Sequence, residues 1–80
     1  MKLNELKNGQ SALIKAVSKE SHCAQRLIEL GFSEGAKVKA VIKGLTKGLT
    51  AYSTKNTLIA LRDSTAEKIT IIPIMEGSDG

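Results

Sequence analysis

Between Lys37 and Lys43 the chain reads KVKAVIK, and apolar Val38, Ala40 and Ile42 alternate there with Lys37, Lys39, Val41 and Lys43. Successive side chains of a strand point to opposite faces, so a period of two commits this segment to β structure with one face on a core. A strand needs partners, and the rest of the chain offers them. Ser11–Val17 (SALIKAV) reads as a strand with Ala12, Ile14 and Ala16 on one face, although Leu13 and Val17 leave the other face partly apolar. Leu49–Thr54 and Thr57–Arg62 flank Lys55-Asn56, a modest hairpin signal, and Ile69–Ile74 forms the last strand. Pro73 marks that strand's end or an unpaired edge, because proline cannot donate to a ladder. Leu3 and Leu6 lead into the turn Lys7-Asn8-Gly9, and Ala66–Lys68 forms a brief turn.

One segment follows a helical period instead. Ser21 is a competent N-cap, and Cys23, Leu27 and Leu30 follow at i, i+4 and i+7, with Ala24 and Ile28 widening the stripe. Gly31 stands at the C′ position, where a left-handed residue is wanted, and Phe32 can fold back onto the last turn. Four to five short strands with one helix near residues 21–30 predict a mainly β fold, a small barrel or curled sheet.

At 80 residues the chain makes one domain, close to the lower limit at which a single core holds a fold together. We expect that domain over residues 1–75, with EGSDG at 76–80 a disordered tail. Phe32 and Tyr52 are the only aromatic residues, so Leu, Ile, Val and Ala are expected to build the core. One cysteine excludes an internal disulfide and fits a reducing compartment. The start of the chain carries no apolar run suited to a signal peptide, and no stretch approaches the roughly 18 apolar residues of a membrane span. A cytoplasmic protein without direct membrane insertion is expected.

Two local motifs invite chemistry that their spacing does not support. KGLTKGLT at 43–50 places glycines where backbone N–H groups could face an anion. A phosphate-binding P-loop needs four residues between its glycines and then Gly-Lys-Ser/Thr opening a helix. Gly44 and Gly48 have three between them and lead into a strand, so the segment is expected to be a mobile hairpin loop. Ser21-His22-Cys23 sets the single histidine beside the single cysteine. Neighbours on a helix point about 100° apart, whereas helical metal pairs sit at i, i+4. The residue four on from His22 is Arg26 and the one four on from Cys23 is Leu27, so neither motif yields a metal site and no cofactor is expected. With no Ser, His and Asp at a recognisable spacing and no paired carboxylates, no catalytic residue is assigned and the chain is read as a non-enzyme.

Taken in order, four segments resemble the FeoA family, the small ferrous iron transport protein A. They are LNELKNG at 3–9, SALI at 11–14, RLIELGFSEGAKV at 26–38 and TLIALRDSTAEKITI at 57–71. The most specific part is Arg26, Leu27, Leu30, Gly31, Phe32 and Gly35, followed by Ala60-Leu61-Arg62 with Ala66 and Ile69. The resemblance implies an SH3-like β-barrel of about five strands with one short inserted helix. It also implies an accessory role in bacterial ferrous iron uptake, through binding the cytoplasmic part of FeoB, a membrane GTPase and transporter. The same module occurs as the C-terminal domain of iron-dependent repressors, which leaves a basic module for nucleic acid or a regulatory protein as the alternative. No helix-turn-helix segment precedes it here, so the stand-alone form is the expectation. Where the family often opens its fourth strand with proline, this chain has Leu49-Thr50-Ala51, so loop contacts cannot be carried over.

The net charge of +4 points to an anionic partner without naming one. Lys37, Lys39, Lys43 and Lys47 form the longest basic stretch, and on a regular strand the first three share a face. Such a row can serve as a solvated edge or a docking strip. Nucleic acid is disfavoured, because the stretch lacks aromatics that stack bases and no helix suits a groove. Leu45 and Leu49 stand between glycines on a loop, a setting that often marks a contact surface. Lys43, Leu45, Lys47 and Leu49 are therefore the candidate partner-binding residues, in a protein expected to be a monomer or weak homodimer. Arg26 and Arg62 are read as structural, binding a carboxylate or carbonyls where helix meets sheet, and Gly31 and Gly35 as conformational.

Overall fold

The computed structural model describes residues 1–18 and 24–74. Five strands form one antiparallel sheet: β1 (Ser11–Val17), β2 (Lys37–Thr46), β3 (Leu49–Thr54), β4 (Thr57–Arg62) and β5 (Ile69–Ile74). Their order is β4-β3-β2-β1-β5, so the first strand lies between the second and the last. Helix α1 (Ala24–Glu29) connects β1 to β2, and the single turn α2 (Asp63–Ala66) connects β4 to β5. A 3₁₀ turn at Leu3–Glu5 precedes the sheet and touches both α2 and β5. The fold is the mainly β, SH3-like arrangement expected, with one qualification. Among the described residues no ladder joins β4 to β5, so the sheet curls without closing into a hydrogen-bonded barrel.

The core lies inside the curl. Ala12 and Ile14 of β1, Val38 and Ala40 of β2, Ile69 and Ile71 of β5 are all buried, as the period-two reading requires. Leu3 and Leu6 are fully buried beneath the 3₁₀ turn, and Ala66 plugs the side of α2. The expectation of a purely aliphatic core fails. Tyr52 and Phe32 are its two largest fully buried side chains and meet edge to face, with ring centroids 6.5 Å apart and planes at 89°. Scarcity is a poor guide to placement: with so few aromatics, each sits where its large area is removed from water.

Bulges explain where alternation breaks. On β1, Ile14 pairs with Ile71 but Ala16 pairs with Thr70, which leaves Lys15 as an extra residue. The phase shifts there, so Ala16 is exposed and Val17 packs on the core instead. On β2, Ala40 pairs with Tyr52 and Ile42 with Ala51, so Val41 is extra and Ile42 turns outward, against the inward position expected. β5 runs through Pro73 to Ile74, so the proline marks the edge strand rather than its end. The β3–β4 hairpin turns on Lys55 and Asn56, both at positive φ (52° and 63°), the signature of a two-residue type I′ turn. The expected turn at Ala66–Lys68 begins earlier, as α2.

The end of α1 matches the expected cap. Gly31 N–H donates to the Ile28 carbonyl at 3.1 Å and Phe32 N–H to the Leu27 carbonyl at 2.9 Å, which is the Schellman pairing. Gly31 has φ +111°, and a Cβ there would stand 3.4 Å from Lys55 Cδ and from Thr54 Cγ2. The Thr54 hydroxyl also donates to the Gly31 carbonyl at 3.3 Å. Gly31 thus fixes the helix end against the β3–β4 turn. Gly31→Ala is expected to lower stability by about 1–3 kcal/mol through backbone strain and crowding, read as a fall in the urea midpoint. An unchanged midpoint would show that the contact is slack. The expected N-cap Ser21, and with it His22 and Cys23, lies outside the described residues, as does the tail at 76–80.

Candidate protein-docking site

The segment KGLTKGLT is a folded hairpin and not the mobile loop expected. β2 continues through Gly44 to Thr46, Lys47 and Gly48 make the turn, and β3 starts at Leu49, the Cα partner of Thr46. Between the pairs Ile42–Ala51 and Thr46–Leu49, β2 spends four steps where β3 spends two, so this half of β2 bows away from the sheet. The repeat has a mechanical meaning. Each Lys-Gly pair puts a glycine at positive φ, Gly44 at 68° for the bow and Gly48 at 75° for the turn.

This protrusion is held in place. Asp63 N–H donates to the Gly48 carbonyl at 2.8 Å, which ties the tip to α2, and the Thr50 hydroxyl donates to Asp63 Oδ1 at 3.4 Å. On the other flank Lys43 N–H donates to Asn8 Oδ1 at 2.7 Å and the Lys43 ammonium to the Asn4 carbonyl at 2.8 Å. The row expected from Lys37, Lys39 and Lys43 is therefore broken. The extra residue at Val41 reverses the phase, and Lys43 turns toward the N-terminal segment and works as a strut.

The hairpin carries apolar surface. Val41, Ile42 and Leu45 are 39%, 42% and 46% exposed, Leu49 is half-buried, and the Lys47 side chain is exposed at the tip. Leu45, Lys47 and Leu49 are thus brought together at one end of the molecule, and Lys43 supports them from behind. Val41 and Ile42 belong to the same surface and were missed. Two large apolar residues in succession, Val41-Ile42, break the alternation of the strand and were the available signal for a bulge. Leu58 on β4, at 60%, is the most exposed large apolar side chain of the described residues.

The other candidates fall elsewhere. Arg26 is exposed on α1 and makes no side-chain hydrogen bond to a described residue; its backbone carbonyl accepts from Leu30 N–H at 2.9 Å. Leu27 is buried in the core and Leu30 packs against it from the end of the helix. Gly35 has φ +87° and donates to the Ile14 carbonyl at 2.7 Å. Arg62 is exposed at the end of β4, opposite Leu49. Among the described residues no three His, Cys, Asp or Glu side chains group to hold a metal ion, and no helix is long and apolar enough to cross a membrane.

Comparison with known proteins places this geometry. The FeoA domain model matches residues 1–73. FeoA of Stenotrophomonas maltophilia, solved with zinc and described as a prokaryotic SH3 domain protein, is 35% identical with a TM-score of 0.78; the match covers 89% of this chain and 88% of that one. FeoA of Chlorobium tepidum is 32% identical with a TM-score of 0.81, over 100% of this chain and 78% of that one. A manganese-dependent transcriptional repressor shares the fold alone, at 12% identity and a TM-score of 0.83 over 92% of this chain and 41% of its own. No curated protein sequence matches this chain. With 73 residues under the family model and two solved FeoA proteins aligned above 30% identity, the chain belongs to the FeoA domain family.

Proposed function

We propose that this chain is a non-enzymatic accessory of ferrous iron transport, docking through its β2–β3 hairpin onto the cytoplasmic part of a FeoB-type membrane GTPase. Membership of the FeoA family supports the transport role, and the S. maltophilia relative is described as a candidate ferrous iron transport activating factor. The observation that carries the docking is the outward set of Val41, Ile42 and Leu45 on a hairpin tied at both flanks. Exposed apolar side chains on an anchored element bind a partner at low entropic cost, because little is ordered on contact. Lys47 at the tip and Arg62 beside Leu49 supply positive charge to steer an acidic surface.

The test replaces Val41, Ile42 and Leu45 together by serine and measures binding to the immobilised cytoplasmic portion of the transporter. Truncating central apolar anchors costs about 1–2 kcal/mol or more, so affinity is expected to fall at least about tenfold. Leu13→Ser with Ile72→Ser, also exposed but on β1 and β5, serves as the control and retains binding. Equal affinity for the hairpin variant and the parent protein, with circular dichroism unchanged, would remove the hairpin as the docking surface.

A further inference from the structure

At the opposite end of β2 from the hairpin bow lies a cleft of about 320 Å³, lined by Lys37, Lys39, Ser53, Lys55 and Asn56 together with buried Ser11. Strand register builds it. Lys39 is the Cα partner of Ser11 on β1 and of Ser53 on β3, so its side chain rises from the same sheet face between two hydroxyl residues. The β3–β4 turn then brings Lys55 and Asn56 over that face, because both adopt the positive φ that a two-residue hairpin requires. Among the described residues, no acidic side chain and no aromatic ring lines the cleft.

The walls are fixed in advance. The Thr54 hydroxyl lies between the Gly31 carbonyl at 3.3 Å and the Lys37 carbonyl at 3.2 Å, joining the end of α1, the start of β2 and β3. The stem of Lys55 rests against Gly31, whose missing Cβ leaves room for it. Two ammonium groups, those of Lys39 and Lys55, carry no hydrogen bond or ion pair to another described residue, and Lys37, which has an interaction of its own, lines the same cleft. A concavity lined by cations concentrates anions.

The chemistry of the donors selects among anions. Ammonium, hydroxyl and carboxamide groups are point donors that can meet a compact, multiply charged phosphate from several sides, and no arginine lines the cleft to supply the planar fork that grips carboxylates and phosphates alike. We propose that this cleft is a binding site for a small phosphate-bearing anion, and that the charge of the lysine set matches a diphosphate better than a single phosphate. With no ring to stack on, the site reads the phosphates and not a base. It is independent of the docking hairpin, and neither proposal needs the other.

The test follows backbone amide shifts of the full chain as sodium pyrophosphate is added. Citrate at matched ionic strength is the second arm. Saturable shifts centred on Lys39, Ser53, Lys55 and Asn56, at least about fivefold tighter for pyrophosphate than for citrate, are expected. Lys39→Ala with Lys55→Ala should weaken pyrophosphate binding about tenfold or more, while Lys15→Ala with Lys68→Ala, which removes equal charge outside the cleft, should leave it within about twofold. Citrate binding as tightly as pyrophosphate, equal losses from both charge-removing pairs, or no saturable shift would each overturn the assignment.

Discussion

Phe32→Ala is expected to cost about 3–5 kcal/mol, the range for emptying a buried aromatic site. Phe32 is fully buried, belongs to the core cluster, and loses its edge-to-face contact with Tyr52 in the variant. The ring cannot be replaced by its neighbours, since Tyr52 is the only other aromatic in the chain. A domain of this size holds a total stability near the lower end of about 5–15 kcal/mol, so the variant approaches the threshold of folding. Thermal unfolding should fall by roughly 15–30 °C. Phe32→Leu keeps most of the volume and should lose no more than about 1.5 kcal/mol, apart from the ring contact of about 0.5–1.5 kcal/mol. A drop of less than about 5 °C for Phe32→Ala would mean that the aliphatic residues hold the core without the ring pair.

Tyr52 supplies the second large effect, with a sign that depends on pH. Its hydroxyl is buried and has no hydrogen-bond partner among the described residues. Burial pushes the phenol up to about 12; the nearby Thr50 hydroxyl opposes this without reaching hydrogen-bond geometry, and the Asp63 charge reinforces it. Below about pH 10 the phenol is protonated in both folded and unfolded chains and contributes no pH dependence. Between about pH 10 and 12 the unfolded chain releases this proton while the folded protein retains it, so stability falls as pH rises. Across that window the loss is on the order of 2–3 kcal/mol. Tyr52→Phe removes both the ionisation and an unpartnered buried hydroxyl. It should therefore gain about 1–2 kcal/mol at neutral pH, and its advantage should widen through the alkaline window. Denaturant midpoints of both proteins at pH 7, 10 and 12 give the comparison. A gap that stays constant across the three would show that the phenol ionises as freely when folded as when unfolded.

The elements themselves were legible because each follows an elementary period. Ser11–Val17, Leu49–Thr54, Thr57–Arg62 and Ile69–Ile74 are strands with the bounds read from the sequence, and the Gly31–Phe32 stop works as expected. The inner positions of β2 were correct up to Ala40 and wrong from Ile42 onward. A bulge costs one residue of phase, so an alternation carried unbroken past Ala40 puts the later side chains on the wrong faces, and that step decides which of them reach solvent. The docking surface depended on that hidden step: Leu45 and Leu49 were visible as apolar residues between glycines, whereas Val41 and Ile42 joined them only through the bow. Lys43 shows the same limit, because its bonds to Asn4 and Asn8 span 39 and 35 residues. The anion cleft was even less accessible. Ser11, Lys39, Ser53 and Lys55 come from different parts of the chain, and only the register across β1, β2 and β3 makes them neighbours.

The two outer strands of the sheet are not equivalent. Met1 and Lys2 run beside β5, where the Ile71 N–H donates to the Met1 carbonyl at 2.8 Å and Lys2 bridges Thr70, while Pro73 removes one donor from the same border. β4 has no such cover among the described residues, and exposed Leu58 stands on it. Self-association through backbone pairing would therefore begin at Thr57–Arg62, and a charged residue in place of Leu58 is the natural guard for anyone concentrating this protein.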